Sequence, residues 1–84
     1  MNDINGQALQ NLGQRIRSER KNQGLSQTEL ADLSNTSLNF VSQLEAGKVT
    51  AQLNKVLDVM NTLGLQFRVE IGQERIVSDA FKGD

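Results

Sequence analysis

The chain contains no cysteine, histidine, proline, tryptophan or tyrosine. Without cysteine there is no disulfide and no thiol nucleophile. Without histidine as well, the commonest metal ligands and the usual general base are gone. No glycine-rich loop is placed to cradle a phosphate, so no catalytic constellation survives, and neither an enzyme nor a cofactor is expected. No apolar run approaches the ~18 residues needed to span a bilayer. Residues 1–14 carry Asp3 and no basic side chain, so they do not read as a signal peptide. A reducing cytoplasm is the expected compartment.

Eighty-four residues suffice for one domain. Such a chain buries only about 60% of its unfolded surface, which makes a lone monomer marginal. The net charge of −1 argues at first against a nucleic-acid binder. The distribution argues back. Between positions 15 and 55, Arg15, Arg17, Arg20, Lys21, Lys48 and Lys55 stand against Glu19, Glu29, Asp32 and Glu45. The remainder is acidic. A mildly basic half predicts a modest non-specific affinity and a reliance on base contacts and dimerisation.

What the chain does have is a stretch from Gln27 to Ala46 that reads as two short helices and a tight turn. Ser26 with Glu29 three residues on makes a capping box. Leu30, Ala31 and Leu33 are expected on the inner side of the first helix. Asn35 falls where the chain must reverse, and asparagine is the commonest non-glycine residue at positive φ. Ser37 caps the second helix, in which Val41 and Leu44 share the inner face. Leu38, Asn39, Ser42 and Gln43 point elsewhere. A face of amides and hydroxyls with little charge suits base edges, because Asn and Gln pair bidentately with adenine.

These residues resemble the helix-turn-helix of the Xre/Cro/lambda-repressor class. The resemblance rests on Ala31 in the first helix, Asn35 at the turn, and Val41 and Leu44 in the second. The flanks Arg20, Gly24-Leu25-Ser26-Gln27 and Leu44-Glu45-Ala46-Gly47-Lys48 extend it over roughly Leu9 to Leu63. The turn residue departs from the usual glycine. Ser34 and Thr36 are more polar than usual, so a less buried turn is expected. The resemblance implies that the second helix enters the major groove of palindromic double-stranded operator DNA by its N-terminal end. It implies DNA contacts at Ser26, Gln27, Ser37, Leu38, Asn39, Ser42 and Gln43, with Lys48 on a phosphate. It also implies a structural ion pair between Arg20 and Glu45. Leu38 is equally a thymine-methyl contact or a partly buried core residue, and Phe40 leans to packing. Arg15 and Arg17 are equally phosphate contacts or a solvated helix end.

Around the motif, residues 1–6 are expected to be loose. A helix over 7–22 shows Leu9, Leu12 and Ile16 inward, with Leu25 beyond its end on the same side, and stops at Gly24. Thr50 is expected to cap a helix over 51–63, with Leu53, Val56, Leu57, Met60 and Leu63 as its core stripe. Residues 7–64 therefore form the DNA-binding domain. Leu65, Phe67, Val69 and Ile71 alternate with polar residues on one face of a strand. A lone strand leaves backbone groups unpaired. It turns at Gly72-Gln73 into a hairpin with 74–77, pairs with a second chain, or closes on its own helices. The favoured expectation is a dimer joined by an intermolecular sheet built from 65–77, with or without the hairpin, and with 78–84 a loose tail. The expected fold is thus mainly α: a four-to-five-helix lambda-repressor-like domain with a short C-terminal strand.

The segments Gly24–Gln27, Leu44–Lys48 and Leu57–Phe67 further resemble antitoxins of HipB type. That narrower resemblance implies a cytoplasmic bacterial homodimer, nucleoid-associated at its operator, that represses its own operon. It also implies a HipA-like serine/threonine kinase toxin as partner, sometimes split into two subunits. A stand-alone regulator of phage type and a protein-interaction adaptor are the competing readings.

Overall fold

The structure is a computed structural model that describes residues 4–48, 52–69 and 76–80. Four helices precede a two-stranded hairpin: α1 (Ile4–Asn22), α2 (Gln27–Ser34), α3 (Leu38–Glu45), α4 (Leu53–Leu63), β1 (Leu65–Val69) and β2 (Ile76–Ala80). The mainly helical expectation holds. Helix α1 starts three residues before the expected 7 and takes in residues thought loose.

Three helix ends repeat one reversal. Leu25 N–H donates to the Arg20 carbonyl (3.1 Å), Thr36 to Ala31 (2.9 Å) and Lys48 to Gln43 (2.9 Å). Each bond spans a left-handed residue, Gly24, Asn35 or Gly47, and satisfies a carbonyl that the helix leaves orphaned. Asn35 adopts φ 59°, ψ 42°, one of the few conformations in which asparagine replaces glycine cheaply. The turn is not less buried for its polar residues. Ser34 is buried, its hydroxyl donating to the Leu30 carbonyl (2.7 Å) and lying 3.0 Å from the Thr36 hydroxyl. A buried hydroxyl that is hydrogen-bonded carries little penalty.

The core takes Ile16 from α1, Leu30 and Ala31 from α2, Val41 and Leu44 from α3, four residues of α4, and Leu65 from β1. Phe40 packs against it, as do Leu12, Leu25 and Phe67. Three expected core positions are corrected. Leu33 is 63% exposed, and Ser34 takes the inward place. On α4 the buried stripe is Val56, Val59, Met60 and Leu63, while Leu53 (63%) and Leu57 (38%) are exposed. The buried set repeats at three, four and seven, the period of one helix face. The apolar arc of α4 is wider than this core can cover. Thr50 lies outside the described residues. The cap of α4 is Gln52, left-handed at φ 67° and without a side-chain bond.

The strand forms the hairpin expected as one of its courses, with the partner strand displaced. β1 pairs antiparallel with β2 of its own chain, Leu65 opposite Ala80 and Val69 opposite Ile76. The partner strand sits further on than 74–77 and takes in Ser78 to Ala80, which had been assigned to the tail. Leu65 is 1% exposed, so its side chain is used inside the chain rather than on an exposed dimer face, and the half-buried Phe67 packs against the core. Ile71 and the expected Gly72-Gln73 turn lie outside the described residues. Each strand keeps one edge without a strand neighbour among the described residues.

Candidate nucleic-acid interface

Helix α3 has only eight residues, too few to persist alone in water. Three devices hold it. Ser37 accepts a hydrogen bond from the Phe40 N–H (3.0 Å) at its start. Val41 and Leu44 are fully or almost fully buried under it. Its last residue, Glu45, is clasped by Arg20 of α1. Arg20 Nε donates to Glu45 Oε2 at 2.6 Å and Nη2 to Oε1 at 3.1 Å, and both residues are 8% exposed. The third arm of the guanidinium, Nη1, donates to the Leu25 carbonyl (2.7 Å). A two-armed guanidinium–carboxylate pair whose third nitrogen is also hydrogen-bonded approaches the condition under which a buried ion pair is tolerated.

Opposite the buried side, Leu38, Asn39, Ser42 and Gln43 are all exposed. At 100° per residue they fill one continuous arc of α3. The arc offers two amides, a hydroxyl and a leucine that is 49% exposed. Leu38 is therefore no buried core residue. Lys48, exposed just beyond the helix end, adds a positive charge.

The remaining expected contact residues are engaged within the chain. Ser26 and Glu29 form the capping box: Ser26 Oγ accepts from Glu29 N–H (3.0 Å), and Glu29 Oε1 accepts from Ser26 N–H (2.8 Å). Gln27 is half-buried, and its amide donates to Glu45 Oε1 (3.1 Å). Nothing in a spacing of eighteen residues announces that bond. It ties the start of α2 to the end of α3, on the oxygen that Arg20 also holds. Ser26, Gln27 and Ser37 thus hold the two helices in place, while Asn39, Ser42, Gln43 and Lys48 face outward.

On α1 the basic cluster divides. Arg15 pairs with Glu19 one turn on (3.4 Å). A hydrogen bond from the Gln23 amide, aided by Arg15, holds the Glu19 carboxyl below its ordinary range against the opposing effect of burial. Arg17 and Lys21 are exposed, one turn apart. Among the described residues no group of acidic or histidine/cysteine side chains could hold a metal ion, and no helix is long and apolar enough to cross a membrane.

The helix-turn-helix family matches residues 16–69, which include α2, the turn, α3 and α4. The chain is 45% identical over 64 residues to an uncharacterized HTH-type transcriptional regulator, y4mF, of Sinorhizobium fredii, covering 76% of this chain and 84% of that one. It is 29% identical over 68 residues to the immunity repressor protein of Bacillus phage phi105, covering 81% of this chain. It spans about half of that repressor, 47% of its length. Among solved structures it is similar to the restriction-modification controller protein C.AhdI of Aeromonas hydrophila, with TM-score 0.63 and 34% identity over 69% of this chain and 84% of that one.

Proposed function

Because the chain belongs to the helix-turn-helix family, we propose that it is a sequence-specific, double-stranded-DNA-binding transcriptional repressor. The observation that carries this reading is the exposed amide-and-hydroxyl arc of α3, held in one orientation by the buried Arg20–Glu45 clasp. A recognition helix must present hydrogen-bonding groups in a fixed geometry, because a base edge is read by bidentate pairs. Asn39 and Gln43 read base edges, Leu38 meets a thymine methyl and Ser42 adds a hydroxyl contact. Lys48 neutralises a phosphate. Ser26, Gln27 and Ser37, at the two helix starts, bring their remaining donors to the backbone.

The reading includes a homodimer on a palindromic operator, with recognition helices entering major grooves about 34–36 Å apart. Dimerisation uses the C-terminal half. There the outer edge of the hairpin has no strand neighbour among the described residues, and Leu53 and Leu57 are exposed on α4. The protein acts in the cytoplasm, at the operator of its own gene. The antitoxin role, with a HipA-like kinase as partner, rests on the resemblance in Gly24–Gln27, Leu44–Lys48 and Leu57–Phe67 alone. Co-expression with a kinase encoded beside it tests that role, and free kinase after co-purification removes it.

The deciding experiment is a titration against the DNA upstream of the gene, with shuffled DNA as control, at two salt concentrations. Selective binding is expected. Asn39→Ala or Gln43→Ala should each cost about 1–3 kcal/mol of affinity and relax specificity at one base position. Lys48→Ala should weaken both DNAs alike and flatten the salt dependence. Equal, weak binding of the unaltered protein to both DNAs would overturn the reading.

A further inference from the structure

Gly13 lies outside the two motif helices, yet it marks a close approach of α1 to the recognition helix. It is buried in the middle of α1, where glycine is a poor helix former. A Cβ at this position would stand 2.5 Å from the Leu44 carbonyl oxygen, 2.6 Å from the Glu45 carbonyl oxygen and 2.9 Å from the Glu45 carbonyl carbon. These are backbone atoms and cannot swing aside as a side chain can. From the other side, a Cβ on Gly47 would stand 3.0 Å from Gln10 Cα and 3.2 Å from Gln10 N. Gln10, Gly13, Ile16 and Arg20 share one face of α1. That face carries, in order, the contact with Gly47, the seat for the last carbonyls of α3, a core residue and the clasp on Glu45.

We propose that Gly13 is a positioning residue for DNA reading. Its missing side chain lets the end of α3 lie flush on α1, and so sets the tilt at which Asn39 and Gln43 are offered to the groove. The clasp fixes where Glu45 sits, and the glycine contact fixes the angle of α3 there. The inference rests on the DNA-binding reading above. A helix displaced by part of an ångström keeps its charge and its fold but misaligns bidentate pairs, so base discrimination is lost before general affinity is.

The test compares the full chain with G13A, and with V59A as a control that removes core packing on α4, a helix other than the two that meet at Gly13. Backbone residual dipolar couplings report the orientation of α3 against α1 without DNA. Titrations on upstream and shuffled DNA report the selectivity ratio. In G13A the α3 couplings should leave the orientation they share with α1, and the ratio should fall about tenfold while affinity for shuffled DNA stays within about twofold. V59A should keep both couplings and ratio. If G13A does not fold, Gly47→Ala presses the same seam through a milder contact and carries the same expectations, with Gly24→Ala, equally left-handed but in open space, as the control for backbone strain. Unchanged couplings in the folded variant overturn the inference, as does a retained ratio despite a displaced α3. Should the unaltered protein itself prove unselective, the DNA reading has failed, and the couplings then show separately whether the seating of α3 held.

Discussion

The motif half and the C-terminal half of this chain are held by different physics. Around α2 and α3 the fastening is polar: a capping box, a serine cap, a buried hydroxyl pair, and Glu45 receiving three N–H donors from Arg20 and Gln27. Around α4 and the hairpin it is mostly apolar. Val56, Val59, Met60, Leu63 and Leu65 are buried, the N-cap of α4 makes no side-chain bond, and among the described residues the Gln23 amide of α1 donates to the Leu63 carbonyl. Directional bonds fix orientation, whereas apolar burial is indifferent to it. The half proposed to read DNA is thus the half whose geometry is specified. The other half supplies bulk stability, and each half leaves leucines uncovered.

The largest effect should come from breaking the clasp. Glu45→Ala leaves a guanidinium buried with two donors unmade and should cost about 3–5 kcal/mol in denaturant unfolding. That is a large share of the about 5–15 kcal/mol that a domain has in total. Replacing both partners together, Arg20→Met with Glu45→Leu, should recover most of the loss without restoring the orientation of α3. A Glu45→Ala cost below about 1 kcal/mol would show that the motif half is not held by polar bonds, and the contrast between the halves would fail.

Met60→Ala probes the other side. Met60 is 1% exposed, and its truncation should cost about 2–4 kcal/mol from lost burial and a residual cavity. The two losses should differ in place. Hydrogen exchange should show α4 and the hairpin opening first in Met60→Ala, and α2 with α3 opening first in Glu45→Ala. If both variants open the same amides first, the two halves form one cooperative unit and the distinction is only descriptive.

The same contrast governs what could be read from the sequence. The bounds of α2, the capping box, the Ser37 cap and the Asn35 turn were legible because each depends on residues at most a few positions apart. The Arg20–Glu45 pair needed the family resemblance, and the Gln27 bond to the same carboxylate was not visible at all. Inward and outward faces were harder. An eight-residue helix has about two turns, and Leu30-Leu33 and Leu30-Ala31-Ser34 fit its period equally well. On α4 the apolar arc is wider than the core it meets, so periodicity admitted Leu53 and Leu57 and passed over Val59. The strand pattern of β1 was plain, but alternation says which residues share a face and not what covers them. The covering came from the chain's own core. Register with β2 depends on where the intervening turn sits, which period-2 alternation does not set.

The smallest effect on the folded chain separates the halves most cleanly, because it uses one substitution at two places of equal exposure. Leu33 on α2 and Leu53 on α4 are each 63% exposed. Exposed leucines contribute little to the stability of a single chain, so Leu33→Gln and Leu53→Gln should each leave it within about 0.5 kcal/mol. Association should tell them apart. If the uncovered surface of α4 belongs to the dimer, Leu53→Gln should raise the dissociation constant seen in sedimentation and weaken the concentration dependence of melting. Leu33→Gln should change neither. The mechanism is burial: a leucine covered by a partner loses about 1.5–3 kcal/mol of transfer free energy when made polar, and one left in water loses almost none. Equal loss of association in both variants would extend the dimer surface onto the motif half. Loss in neither would move dimerisation away from α4, to the open edge of the hairpin, where the contact is made by backbone groups and no side-chain substitution of this kind would register.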